Sequence, residues 1–391
     1  MKVLVASLFL PKIHATNAGS RTVAEILREL SESHEIYLAT RVEENELADV
    51  EQIRQYCKKI YTYPYKKTTH RNIFTLMRLM ASHLWFSFSL NRIIKHNRFD
   101  LVHIEWVETG ILVFRRKIPM VLDAHDIITK PAERRLVGEK GLSRLLHYIL
   151  FVFIRKIEMY ILRKFDVIFT RSDYDRDYLF KMDAGFKEKV RVLPHPAGID
   201  FGRKTVQREE NSVLFLGSFK DHDSNVKAVL YFCNEILPLI KVKIPDVRFY
   251  IVGYGPTEEI TKIAARDKNV IVTGFVEDIE LYYRMAKVFV APIKIGGGLL
   301  VKILDAMFAG TPVVSSSIGN EGVDGTDNRH ILLADSPSDF ADKVVNLLTD
   351  EELWLRISKE CHVFVSKKYT IEVMKEVLND TYNVLMASGS N

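Results

Sequence analysis

Cysteine is scarce in this chain. Cys57, Cys233 and Cys361 lie far apart and without CxxC spacing. That excludes a disulfide framework and a cysteine zinc site, and it suits a reducing compartment. The histidines form no HExxH pair or other ligand cluster, so no metal site is expected. No stretch approaches the roughly 18 apolar residues that a spanning helix requires. The longest candidate, 145–165, is interrupted by His147, Arg155, Lys156, Glu158, Arg163 and Lys164. Strong charge is lacking too: a net +5 fits attraction to phosphates or an anionic membrane surface but demands neither. A GxGxxG turn is also missing. Gly253-Tyr254-Gly255 does not match it, and the acidic residue expected about twenty positions on is absent, which weakens a dinucleotide reading.

What is present is a long, evenly mixed chain. At 391 residues it is too long for one core, which predicts two domains. The opening MKVLVASLFL could begin a signal peptide, but the apolar run is short and Pro11-Lys12 follows directly. A buried first strand of a parallel sheet has the same appearance, and we read it so. Strands over 3–7, 35–39, 102–104, 121–123 and 167–170 alternate with helical segments, including one over 22–33 and a polar one near 43–58. That alternation predicts a parallel, doubly wound α/β sheet with ligands beyond the carboxyl ends of its strands. After His195-Pro196-Ala197-Gly198 and a charged stretch the alternation restarts, with strands over 213–216, 247–252, 270–273, 288–292, 313–316 and 331–334. The expected division is 1–200, 201–370 and a C-terminal helix over 371–391 returning to the first domain, with a ligand cleft between the two domains.

The stretch IGGGLLVKILDAMFAGT, 295–311, carries the clearest chemical signal. Three glycines let a ligand approach the backbone, and the helix behind them offers amides and a dipole to an anion. Lys302 and Asp305 are three apart and share a helix face. A cation and a carboxylate so placed suit a diphosphate followed by a ribose diol; an ordinary surface Lys–Asp pair has the same spacing. His125, in Asp123-Ala124-His125-Asp126, falls at a strand end, where it could bond a sugar hydroxyl or serve as a turn residue or helix cap. Asp173, Asp175 and Asp177 begin like a calcium loop, but Tyr178 and Ala184 stand where glycine and glutamate are needed. They read as acidic residues in a helix's first turn. Two segments mix aromatic and basic residues. The 74–99 stretch is a candidate for membrane or lipid-acceptor contact. The 142–164 stretch reads as a helix packed on the sheet with its basic residues outward.

The order and spacing of FLGSFKDHDSNVKAVLYF, FYIVGYGP, VTGFVEDI, VFVAPIKIGGGLLVKILDAMFAGTPVVSSSIGNEGV and ILLAD, over about 212–348, resemble the retaining nucleotide-sugar glycosyltransferases of family 4. The likeness is to the polysaccharide-assembly branch. The first half matches more loosely, through the Gly19 loop, His125-Asp126 and the strand before Ser172. The resemblance implies a GT-B architecture, with two Rossmann-like domains facing a cleft. It also implies site roles. Asp305 would bond the ribose hydroxyls, where the family has glutamate. Gly298, Leu299 and Leu300 would offer amides to the diphosphate, and Gly217 would line the same site. Val276 would touch the base through its main chain, and His125 the donor sugar. Gly19 would close over the donor from the acceptor side. Two departures stand out: Gly297 replaces the first glutamate of the family's pair, and Leu300 replaces an arginine. Phosphate charge then falls to Lys302, with Lys220 or Lys227 assisting.

The resemblance thus implies a retaining, hexosyltransferase-like glycosyltransferase. It would use a nucleoside-diphosphate-sugar donor and a glycan or lipid-linked acceptor, with no metal, no resident cofactor and no nucleic acid. His125, Lys302 and Lys220 are the candidate catalytic groups. The expected location is the cytoplasm, at the inner face of the cytoplasmic membrane. A nucleotide-sugar epimerase on the same fold and a catalytically silent nucleotide-binding subunit are the alternatives.

Overall fold

The computed structural model describes every residue except 14–17, 67–72, 199–200, 203–204, 221, 297 and 389–391, and omits the side chains of 73–76 and 388. Two compact units result, one of Met1–Leu193 with Ile371–Asn391 and the other of Pro194–Thr370.

In the first unit the opening apolar run becomes strand β1 (Lys2–Ser7), joined by β2 (Glu35–Val42), β3 (Lys59–Pro64), β4 (Leu101–Glu105), β5 (Met120–Ala124), β6 (Val167–Thr170) and β7 (Val190–Val192). All pair in parallel, in the order β3-β2-β1-β4-β5-β6-β7. Val3, Leu4 and Val5 are fully buried, as expected where both faces of a parallel sheet are covered. One face meets the helix Ala18–Ser31 and the C-terminal helix Ile371–Ser388, whose Lys375 pairs with Glu29 and Glu32. The first helix begins at Ala18 rather than Thr22, so Gly19 lies in its first turn and not in a loop. The polar stretch 43–58 is not one helix. It divides into a short 3-10 turn (Glu44–Asp49) and one α turn (Val50–Arg54), because its few apolar residues cannot line a longer face. The strand β3 after it, KIYTYP, was not anticipated: its residues alternate without forming an apolar run, as befits an edge strand.

The second unit repeats the plan with β8 (Glu209–Leu216), β9 (Arg248–Val252), β10 (Val270–Gly274), β11 (Ala286–Ala291), β12 (Val313–Ser315) and β13 (Leu332–Leu333), ordered β10-β9-β8-β11-β12-β13. Both sheets reverse direction beside their first strand, at β1/β4 and β8/β11. Such crossovers open a crevice at the strands' carboxyl ends.

The aromatic and basic helices differ from the sequence reading in one respect. In Gly141–Leu162 the apolar side chains Leu142, Leu145, Leu146, Ile149 and Phe153 point outward, and only its last turn is buried. The helix is covered only at its last turn, so the apolar side chains before it stay exposed. Ile73–His96 likewise buries Phe86 and Leu90 and exposes Met77, Met80, Trp85 and Phe88. Among the described residues no helix is long and apolar enough to cross a membrane.

Candidate functional site

The second unit builds its crevice mostly from main chain. After β8 the turn Gly217–Lys220 lies against the turn that follows β9. Gly217 N–H donates to Val252 O at 3.0 Å and Phe219 N–H to Tyr254 O at 2.9 Å. Gly253 has φ +145°, and a Cβ on it would lie 1.9 Å from Gly217 O, so only glycine permits this approach. Lys302 enters from the second residue of the helix Val301–Phe308. Its Nζ donates to Asn225 Oδ1 at 2.6 Å and sits 4.4 Å from the centre of the Phe215 ring. Asn225 in turn donates to Ser218 O at 2.7 Å, tying the lysine to the β8 turn. Among the described residues no carboxylate pairs with Lys302, and burial pushes its ammonium down to about 7. A lysine held by one neutral amide and partly discharged by burial regains its full charge when an anion arrives beside it.

Asp305, one turn deeper, is nearly inaccessible and does not meet Lys302. Its Oδ1 accepts the Gly198 N–H at 2.9 Å. Gly198 needs its positive φ and its missing Cβ to dock there, since a Cβ would strike the Phe308 ring at 2.2 Å. Leu300 is the helix N-cap and offers no side-chain cap, and Gly298 and Leu299 precede it in part-buried positions. Lys220 is exposed, 5.5 Å from the Tyr254 ring centre, whereas Lys227 is spent on an exposed pair with Asp223 at 2.6 Å. Val276 follows β10 and packs part-buried on the core. Gly297 lies outside the described residues.

The first unit builds with side chains instead. His125 follows β5, and its ring stacks on Trp106 with centroids 4.2 Å apart and planes 11° from parallel. Trp106 holds a φ of 65°, an uncommon conformation for a bulky residue and one that concentrates at ligand-handling sites. Glu105 Oε2 lies 2.8 Å from His125 Nε2, and Arg171 Nη2 approaches the same nitrogen at 3.3 Å while also binding Asp123. Below them His103 Nδ1 meets the Tyr382 hydroxyl at 2.7 Å. Burial, with Asp123 adding to it, pushes Glu105 well above the carboxylate range; burial likewise raises Asp123 against the pull of Arg171. An Arg171 N–H donated to Nε2 would leave the ring proton on Nδ1. His103, Glu105 and Asp123 bring ligand atoms within 4.8 Å of one another. Arg171 binds the Asp123 member of that cluster.

The sequence reading located His125 but not Glu105, Trp106 or Asn225 around the two sites. Their one visible signal was position, at a strand's end or in a helix's first turn.

Models of two families match: "Glycosyltransferase Family 4" over residues 19–201 and "Glycosyl transferases group 1" over 210–350. Together they span most of the chain, one to each unit. The chain belongs to the family 4 glycosyltransferases, and its two parallel-sheet units are those of the GT-B fold. A Klebsiella pneumoniae relative, an uncharacterised 44.6 kDa protein in the cps region, is 24% identical over 94% of this chain and 96% of its own. The phosphatidyl-myo-inositol mannosyltransferase of Mycobacterium tuberculosis is 26% identical over 47% of this chain, which spans half (50%) of that protein. An Anabaena protein solved in complex with UDP superimposes with a TM-score of 0.68 over 98% of this chain and 100% of that one, at 12% identity. As the family indicates, the chain is a glycosyltransferase.

Proposed function

We propose that the protein moves a sugar from a nucleoside-diphosphate donor to a glycan or lipid-linked acceptor with retention of anomeric configuration. The observation that carries this reading is Lys302, a lysine without a carboxylate partner among the described residues, tied to the β8 turn beside the helix Val301–Phe308. The donor diphosphate rests against Lys302 and the amides of Gly298, Leu299 and Leu300, with Lys220 at the rim. There the helix dipole and lysines stabilise the departing diphosphate, and the account needs no metal. Gly217 lines the same turn, and Val276 meets the base through its main chain. Gly198 donates to the Asp305 carboxylate, and Asp305 is the residue that meets the ribose diol. His125 touches the donor sugar, and Gly19 closes over the donor from the acceptor side. Retention follows a front-side path in which the leaving phosphate oxygen takes the acceptor's proton, so no protein nucleophile is required. The outward apolar side chains of Gly141–Leu162 and Ile73–His96, set among Arg78, Arg92, Arg144, Arg155 and Lys156, suit contact with an anionic membrane where a lipid-linked acceptor would reside.

The test is to screen nucleoside-diphosphate sugars for thermal stabilisation, then follow release of the nucleoside diphosphate when acceptor is added. Acceptor-dependent release, with product anomers matching the donor, is expected. Turnover indifferent to acceptor would sink the transferase reading. Co-sedimentation with anionic vesicles that weakens as salt rises is expected for the membrane contact, and no binding at low salt would remove it.

A further inference from the structure

The first unit contains a second concentration of positive charge that the transfer chemistry above does not use. At the carboxyl ends of β2 and β3, a pocket of about 200 Å³ is lined by Arg41, Tyr65, Lys66, Arg78 and Ser82. Arg41 is 1% exposed, yet its Nε and Nη1 find no hydrogen-bond acceptor among the described residues. Its Nη2 donates to Ser82 Oγ at 3.1 Å, and the guanidinium lies 3.9 Å from the centre of the Tyr65 ring. Among the described residues no carboxylate forms an ion pair with it. Glu43 acts on it only through space and accepts instead from the Tyr65 hydroxyl at 3.2 Å. Burial and the Arg41 charge hold the neighbouring His83 down to about 4, so His83 adds no cation at neutral pH. Buried charges are ordinarily paired, because an unpaired one forfeits its hydration without return. Two idle N–H groups on a buried planar fork, with Lys66 and Arg78 exposed beside them, match the several oxygens and double charge of a phosphate monoester better than one carboxylate.

We propose that this pocket is a phosphoryl-binding site, and that it holds a phosphate borne by the acceptor. The anion site stands on its own geometry; its assignment to the acceptor rests on the transferase reading. β2 and β5 are three strand spacings apart in the sheet, roughly 14 Å, so the site would grip the acceptor at a distance from the His125 end of the sheet.

The test is calorimetric titration of the full chain with methyl phosphate, acetate and farnesyl phosphate. Wild type binds methyl phosphate at least tenfold more tightly than acetate. Arg41→Met lowers methyl phosphate affinity at least about tenfold, since charge-assisted hydrogen bonds are lost. It melts no lower than wild type, because an unpaired buried charge has gone. Arg78→Ala, an exposed change, weakens the same binding several-fold, which keeps the test alive should Arg41→Met fail to fold. Farnesyl phosphate binding much more tightly than methyl phosphate marks a lipid-borne phosphate, and equal binding marks a soluble one. Equal methyl phosphate affinity in wild type and variants, or acetate binding as well as methyl phosphate, would overturn the proposal. Nucleoside-diphosphate binding is read on the same samples. Its absence would count against the donor site alone, and its survival in Arg41→Met shows the two sites to be separate.

Discussion

At the carboxyl ends of their strands the two units present different materials. In the second unit the crevice is lined by turns and helix amides, with one lysine held by one asparagine. In the first unit five ionisable side chains, His103, Glu105, Asp123, His125 and Arg171, meet in contact and share charge among themselves. Under the proposed function, the difference follows from what each site would hold. A diphosphate is the same in every nucleoside-diphosphate sugar and can be met by backbone, whose geometry is set by the fold. A sugar hydroxyl requires a side chain at a particular height and tautomer, and that demands supporting groups behind it.

The comparison can be broken most severely at Gly253. Alanine there forces the β9 turn off Gly217 O, and we expect a loss of about 4 kcal/mol or more in a thermal or denaturant melt. A wild-type-like melt would show that the turns do not depend on that close approach. Next comes Lys302→Ala, expected to lower kcat about 10²-fold with a smaller change in donor KM, as for loss of one charge-stabilising donor. Near-normal kcat in steady-state kinetics would leave the lysine a packing residue. Asp305→Ala should weaken donor binding by about 1.5–3 kcal/mol, through both the ribose contact and the freed Gly198 amide. Unchanged affinity by calorimetry would remove the ribose assignment.

The smallest effect tests the first unit. Glu105 has a folded pKa raised above its unfolded value, so between the two the native state binds more protons than the unfolded one. Its stabilising contribution is complete below the unfolded value near 4.5 and is lost as pH rises through the folded one. Glu105→Gln keeps a donor to Nε2 without the titration. Its melting temperature relative to wild type should therefore climb as pH rises above the unfolded value near 4.5. A constant difference would mean that Glu105 does not hold a proton at neutral pH.

The same contrast explains what the sequence made legible. The Gly-rich run, Lys302 and the alternation of strands stand close together or recur at regular spacing, so both sheets and the second crevice could be anticipated. Asn225 lies 77 positions from its partner Lys302, and Tyr382 lies 279 from His103; no local pattern joins them. β3 escaped notice because an edge strand needs no continuous apolar run. The outward face of Gly141–Leu162 was misjudged because composition alone does not say which side of an apolar helix the sheet will take.

The central claim is that Lys302 is kept partly discharged until a diphosphate arrives. It is tested most directly by nucleoside-diphosphate calorimetry at pH 8 in buffers of different ionisation enthalpy, comparing wild type with Lys302→Met. With its ammonium near 7 in the free protein, Lys302 should take up close to one proton on binding. Wild type should therefore bind close to one proton more than the variant, and bind the nucleotide at least about tenfold more tightly. Equal proton uptake and equal affinity in the two proteins would contradict the account.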